Sequence, residues 1–135
     1  MHAPPEGPLV SIVDDDMAVR RSTLRLLVSS GLRAEAFGSA EDFLQSGRLA
    51  ETDCLVLDVS MPGMGGLGLQ SRLAEAGHPL PIVFLSARAS EEEERRALRA
   101  GAADFLHKPV SKEVLLDAIC SVLAARANHQ PKDSL

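Results

Sequence analysis

Cys54-Leu55-Val56-Leu57-Asp58-Val59-Ser60-Met61-Pro62-Gly63-Met64-Gly65-Gly66 opens with four apolar residues in a row, reaches an acid, and then turns at proline and glycine. A short run that is apolar at every position, rather than at alternate ones, is the pattern of a strand buried on both faces of a parallel sheet. Ile82-Val83-Phe84-Leu85 repeats that pattern downstream. Leu9-Val10-Ser11-Ile12-Val13, Ala34-Glu35-Ala36-Phe37 and Phe105-Leu106 supply three further short strands.

Helices fill the intervals. Asp16 is a good N-cap for a helix from Met17 to Ser30 that stops at Gly31. Ser39 caps a short helix through Ser46. Ser90 precedes Glu91-Glu92-Glu93-Glu94, acids in a first turn where the helix dipole favours them, and Gly101 ends that helix. Ser111 opens the last helix, where Val114, Leu115, Ala118, Ile119, Val122 and Leu123 form one apolar stripe. Strands alternating with helices five times predict an α/β domain, a doubly wound five-stranded parallel sheet of (βα)5 type over residues 9–127. Residues 1–8 are assigned as an N-terminal extension and 128–135 as a tail or the start of a linker.

Composition narrows the function. The 135 residues fit one domain, with 45% hydrophobic and 24% charged residues. A formal charge of −5 disfavours direct contact with nucleic acid by this domain. No apolar stretch approaches membrane-spanning length, and no basic-then-apolar start marks a signal peptide, so no membrane partner and a cytoplasmic location are expected. Cys54 and Cys120 lack metal-ligand spacing and read as two buried, reduced thiols.

In open parallel sheets, ligands bind beyond the carboxyl ends of the strands, where the strand order reverses. The first strand ends in Asp14-Asp15-Asp16, the third in Asp58, the fourth in Ser86-Ala87 and the fifth in His107-Lys108-Pro109. The second, ending at Phe37-Gly38, brings no reactive side chain and suits an edge, which gives the flavodoxin-like order 2-1-3-4-5. Packed carboxylates repel unless a cation neutralises them, and magnesium takes oxygen ligands from one or two carboxylates plus a phosphate. A carboxylate nucleophile, an ammonium and a hydroxyl are the parts needed to move a phosphoryl group onto an aspartate. Asp16 itself needs no role beyond capping, and Phe105 alone would read as plain core.

Taken in order, Ile12-Val13-Asp14-Asp15-Asp16, Asp58-Val59-Ser60-Met61-Pro62-Gly63-Met64-Gly65-Gly66, Ser86-Ala87 and Gly101-Ala102-Ala103-Asp104-Phe105-Leu106-His107-Lys108-Pro109 resemble the motifs of response-regulator receiver domains of two-component systems. The resemblance runs from about Leu9 to Ala125. It implies that Asp58 is the phosphoacceptor, that Asp14 and Asp15 hold Mg2+ together with Asp58 and the backbone carbonyl of Ser60, and that Ser86 and Lys108 bind the phosphoryl group. It further implies a switch made by Ser86 and Phe105, and a cis Lys108-Pro109 bond. A sensor histidine kinase would be the phosphoryl donor. The α4-β5-α5 face would be read by a partner, an output domain or, on phosphorylation, a second copy. Ser39-Ala40-Glu41-Asp42-Phe43-Leu44 and Leu67-Gly68-Leu69-Gln70 resemble the FixJ-type subgroup, whose members carry a LuxR-type DNA-binding domain, so the implied output is transcription.

Departures from the commonest family pattern fall at Ser60 and Arg88, which flank the phosphoryl position, and at Val110. Phe105 has no phenol hydroxyl. Gly65, Gly66 and Gly68 are expected to make the loop after Asp58 flexible. A phosphatase of the haloacid-dehalogenase type would need an acid two residues after its nucleophile, where Ser60 stands, so the chain is not expected to be an enzyme beyond its own phosphorylation and dephosphorylation. A nucleotide or flavin site would need a glycine-rich loop after the first strand, where three acids stand instead. Glu91–Arg95 and Glu92–Arg96 are expected as ordinary i,i+4 pairs on a solvated helix, and His107 is given no role.

Overall fold

The computed structural model describes residues 7–128; most of the assigned extension and the tail from 129 onward lie outside them. Five strands, β1 (Leu9–Val13), β2 (Arg33–Phe37), β3 (Thr52–Asp58), β4 (Ile82–Ser86) and β5 (Asp104–His107), pair in parallel in the order β2-β1-β3-β4-β5. Five helices connect them: α1 (Met17–Ser29), α2 (Ala40–Gln45), α3 (Gly66–Glu75), α4 (Glu91–Arg99) and α5 (Lys112–Asn128). Asn128, assigned to the tail, is the last residue of α5.

Side-chain alternation along the buried strands divides the core in two. Leu55, Leu57, Ile82 and Phe84 join Phe43, Leu69, Leu73 and Ala97, so α2, α3 and α4 cover one face. Val10, Ile12, Cys54, Val56, Val83 and Leu85 join Leu27, Leu115, Ala118, Ile119 and Val122, so α1 and α5 cover the other. That two-sided burial is why β3 and β4 are apolar at consecutive positions. Every residue of the edge strand β2, by contrast, is only half-buried.

Helix ends follow local chemistry. Asp16 accepts the N–H groups of Ala18 and Val19, at 2.9 and 3.2 Å, and so caps α1. Ser90 and Glu93 form a reciprocal capping box on α4. Gly31 and Gly101 end α1 and α4 with φ of 87° and 104°, which a side-chain-bearing residue rarely adopts.

Four expectations are corrected. Cys120 is exposed and only Cys54 is buried, because the outward face of α5 falls at position 120. Val114 is 48% exposed and drops out of the apolar stripe, although Leu115, Ala118, Ile119 and Val122 keep theirs. Gly66 and Gly68 are not loop residues: they lie in the first turn of α3, whose ends the sequence pattern does not mark. On α4, Arg95 reaches Glu91 at 4.0 Å as expected, and it is Arg95 rather than the expected Arg96 that pairs with Glu92, at 3.6 Å.

Candidate functional site

Parallel pairing brings the strand ends to one rim. β1 and β3 are neighbours at the point where strand order reverses, Asp58 is in register with Leu85, and Ser86 is in register with His107. The backbone ladder continues past the strands: Val59 donates to Leu85 O at 3.1 Å and Lys108 to Ser86 O at 2.7 Å. The side chains at 14, 58, 86 and 108 are therefore mounted on the hydrogen-bonded ends of the central sheet.

Asp14, Asp15 and Asp58 each offer a carboxylate oxygen, and these oxygens lie within 4.8 Å of one another. Asp14 is 2% exposed and Asp58 7%, whereas Asp15 faces solvent. Lys108 reaches over the cluster, its Nζ 3.2 Å from Asp14 Oδ2 and 3.7 Å from Asp58 Oδ2. Asp14 is held on its other oxygen by the Asp16 N–H at 2.9 Å, and Arg20 donates to its backbone carbonyl at 2.8 Å. Asp58 Oδ1 accepts the Ser60 N–H at 3.3 Å.

One lysine does not balance three acids. Burial, and next the charge of Asp14, push the Asp58 carboxyl up to about 6 from an ordinary 3.8, against the opposing pull of Lys108 and the Ser60 N–H. Such a carboxylate gains from any cation that replaces its lost hydration. The donors are all hard oxygens, with one acid open to solvent for entry, so the set suits a small dication that keeps part of its water shell. Asp14, Asp15 and Asp58 can hold such an ion.

Ser86 is 1% exposed and its Oγ accepts two backbone N–H groups, Ala89 at 2.7 Å and Arg88 at 3.2 Å. This is the local turn that a serine after a strand favours. It leaves the hydroxyl hydrogen to donate elsewhere. Phe105 is buried at 6% exposure, its ring 5.7 Å from Phe84 and 5.4 Å from the His107 ring. The Lys108-Pro109 bond is cis.

The loop after Asp58 is tighter than its glycines suggested. Gly66 donates to Val59 O at 2.9 Å, and a Cβ on Gly66 would stand 2.4 Å from Asp58 O. Glycine is required there for close approach, not for freedom. Sequence reading also missed His107, whose Nε2 lies 3.1 Å from Glu94 Oε1 on α4, and Gln70, whose amide donates to Ala97 O at 3.0 Å. A buried hydroxyl pair, Ser11 with Thr52 at 2.7 Å, was likewise unmarked by pattern.

Comparison with known proteins agrees with this geometry. The family described as "Response regulator receiver domain" matches residues 10–120. Nodulation protein W of Bradyrhizobium diazoefficiens is 44% identical over 111 residues, covering 82% of this chain and 49% of that protein. Response regulator protein TmoT of Ectopseudomonas mendocina is 44% identical, covering 90% and 56%, and transcriptional regulatory protein FixJ of Azorhizobium caulinodans is 37% identical, covering 91% and 58%. The chain thus spans about half the length of these relatives. Among solved structures, response regulator StyR superposes with a TM-score of 0.83 at 44% identity, covering 90% of this chain and 61% of that one. The FixJ-N structure gives 0.79 at 29% identity, covering 96% and 98%. No helix among the described residues is long and apolar enough to cross a membrane. With family match, relatives and strand-end chemistry in agreement, the chain belongs to the response-regulator receiver domains.

Proposed function

We propose that this domain accepts a phosphoryl group on Asp58 from a phosphohistidine of a sensor histidine kinase, with Mg2+ held by Asp14, Asp15, Asp58 and the Ser60 carbonyl. The observation that carries the reading is the set of three carboxylates within 4.8 Å under the Lys108 ammonium. When bound, Mg2+ supplies positive charge to the oxygens of the transferring group and relieves the mutual repulsion of the acids. Asp58 attacks phosphorus through a carboxylate oxygen as the P–N bond to the donor imidazole breaks, and the imidazole leaves with the electron pair and takes a proton. Lys108, already between Asp14 and Asp58, is placed to follow the phosphoryl oxygens as the charge on Asp58 moves onto them. Ser86 donates its hydroxyl hydrogen to one of those oxygens. No second acid stands beside Asp58 at position 60, so the chemistry is confined to the chain's own phosphorylation and hydrolysis.

A shift of Ser86 toward the phosphoryl group releases the N–H groups of Arg88 and Ala89 and loosens the turn that leads into α4. Phe105 packs against Phe84 on the strand that ends at Ser86, and its ring lies 5.4 Å from that of His107, which is bonded to Glu94 of α4. These contacts support a change at the α4-β5-α5 face, read there by an output domain, a partner or a second copy of the chain. The relatives named as transcriptional regulators make control of transcription the favoured output.

Incubation with acetyl phosphate and Mg2+ followed by intact mass measurement tests the reading. The wild type is expected to gain one phosphate, lost on chelation of Mg2+ beforehand, and Asp58→Asn none. A variant that still gains it, or a wild type that gains none at saturating donor, overturns the assignment.

A further inference from the structure

The segment Ser60–Gly65 leaves the site after Asp58 and returns at Gly66, whose N–H closes the neck on Val59 O at 2.9 Å. Its tip is loosely specified: Gly63 stands at φ 73°, a second glycine follows at 65, and among the described residues the backbone of 61–64 bonds to no other backbone group. Met61 and Met64 pack, half-buried, against the core on this face, and one polar side chain from another element bonds the backbone of the tip. Glu41, on the first turn of α2, accepts the Met64 N–H on Oε2 at 3.2 Å. The same oxygen lies 3.2 Å from where a Cβ on Gly63 would stand, so Gly63 also provides the space in which the carboxylate sits.

Glu41 belongs to the stretch Ser39-Ala40-Glu41-Asp42-Phe43-Leu44, whose other polar contribution is plain: Ser39 caps α2 through the Asp42 N–H at 3.0 Å, and Phe43 is core. The carboxylate of Glu41 is not needed for that cap. Its position in the first turn of a helix is electrostatically favourable, so it is held in place from its own side as well. It spans 23 residues of sequence to reach the loop that carries Ser60.

We infer that Glu41 is a positioning residue for the metal site: by bracing Met64 it fixes the loop that presents the Ser60 carbonyl to the cation. This rests on the proposed Mg2+ site. Loss of one charge-assisted hydrogen bond in an exposed loop corresponds to a roughly 3- to 10-fold weakening of what depends on it. Glutamine retains an acceptor oxygen at the same reach, while alanine has none.

The test uses the full chain and compares wild type, Glu41→Gln and Glu41→Ala. In metal-free protein, exchange of the Met64 amide is measured by NMR; Mg2+ alone is then titrated and its Kd read from amide shifts, with the metal-free melting temperature recorded throughout. Glu41→Ala is expected to speed Met64 exchange and raise the Mg2+ Kd by roughly 3- to 10-fold with little change in melting, and Glu41→Gln to restore both to within about twofold. A purely structural contact would lower the melting temperature and leave the Kd alone. Equal Kd values for wild type and Glu41→Ala overturn the inference while the metal site stands, as does a Glu41→Gln variant as weak as alanine. A wild type that binds no Mg2+ overturns the functional reading, and this inference with it.

Discussion

Replacing Asp58 by asparagine should make the metal-free protein more stable, and the gain should depend on pH. Asp58 is nearly fully buried beside Asp14, and its carboxyl is pushed up to about 6 from 3.8, burial being the largest cause. A folded-state value above the unfolded one means the folded protein binds more protons across that interval. Stability associated with this group is therefore fully present below about pH 4 and is lost as the pH rises through about 6. A rise of about two pH units at about 1.4 kcal/mol each amounts to about 3 kcal/mol of destabilisation at pH 8. Asparagine is isosteric, still accepts the Ser60 N–H, and leaves Lys108 to pair with Asp14 alone, so it removes the penalty without opening a cavity. For a domain of this size about 3 kcal/mol corresponds to a melting difference of roughly 10 °C. Far-UV circular dichroism in a chelator serves as the assay, since the chain has no Trp or Tyr. Asp58→Asn should melt above wild type at pH 8, and the gap should narrow steadily toward pH 4. Saturating Mg2+ should close much of it by stabilising the wild type. Equal melting temperatures at pH 8 without metal, or a gap that does not shrink in acid, would refute the account of Asp58 as an uncompensated buried acid.

Other perturbations read different parts of the molecule. Gly66→Ala should lower stability by about 1–3 kcal/mol, because its Cβ would stand 2.4 Å from Asp58 O; Gly68→Ala, whose Cβ would meet only Met64 Cγ at 3.2 Å, should cost clearly less, since its helix propensity offsets the contact, and urea titrations compare the two. A thiol reagent at pH 8 should modify Cys120 quickly and spare Cys54, whose thiol is pushed up to about 12, chiefly by burial; peptide mapping showing labelled Cys54 in the native protein would contradict that.

How much was legible in the sequence differs by residue. Cys54–Asp58 announced both a doubly buried strand and the acid at its end, because a parallel sheet covered on both faces demands apolar residues at every position. Asp14, Ser86 and Lys108 were recoverable because strand ends are fixed points of the fold. Cys120 was misplaced because an apolar helix pattern does not say which of its small residues faces out. Gly66 was misread because a glycine needed for close approach and one needed for freedom are the same letter. Glu41, Gln70 and Glu94 were invisible for a common reason: each reaches a backbone atom or side chain on another element, and such long-range polar contacts leave no periodicity.

That division bears on how the site works. The residues readable from sequence are those held at the strand ends, and in the proposed function they do the chemistry. The unread ones, Glu41 against Met64, Gln70 against Ala97 O, and Glu94 against His107, tie helices and loops on the α2–α4 face to one another and to β5. Each is a single hydrogen bond, two of them exposed, and each contributes about 1 kcal/mol, so none of them alone locks the helices in one arrangement. A site built only from rigid strand ends would bind a phosphoryl group and tell nothing else. In the proposed switch, surrounding it with marginal contacts would let a local change of charge alter which arrangement of the α4-β5 region is favoured, provided that the differential interaction at Ser86 exceeds the bonds it replaces. The two backbone N–H groups that Ser86 now accepts set that threshold, at about 1 kcal/mol apiece.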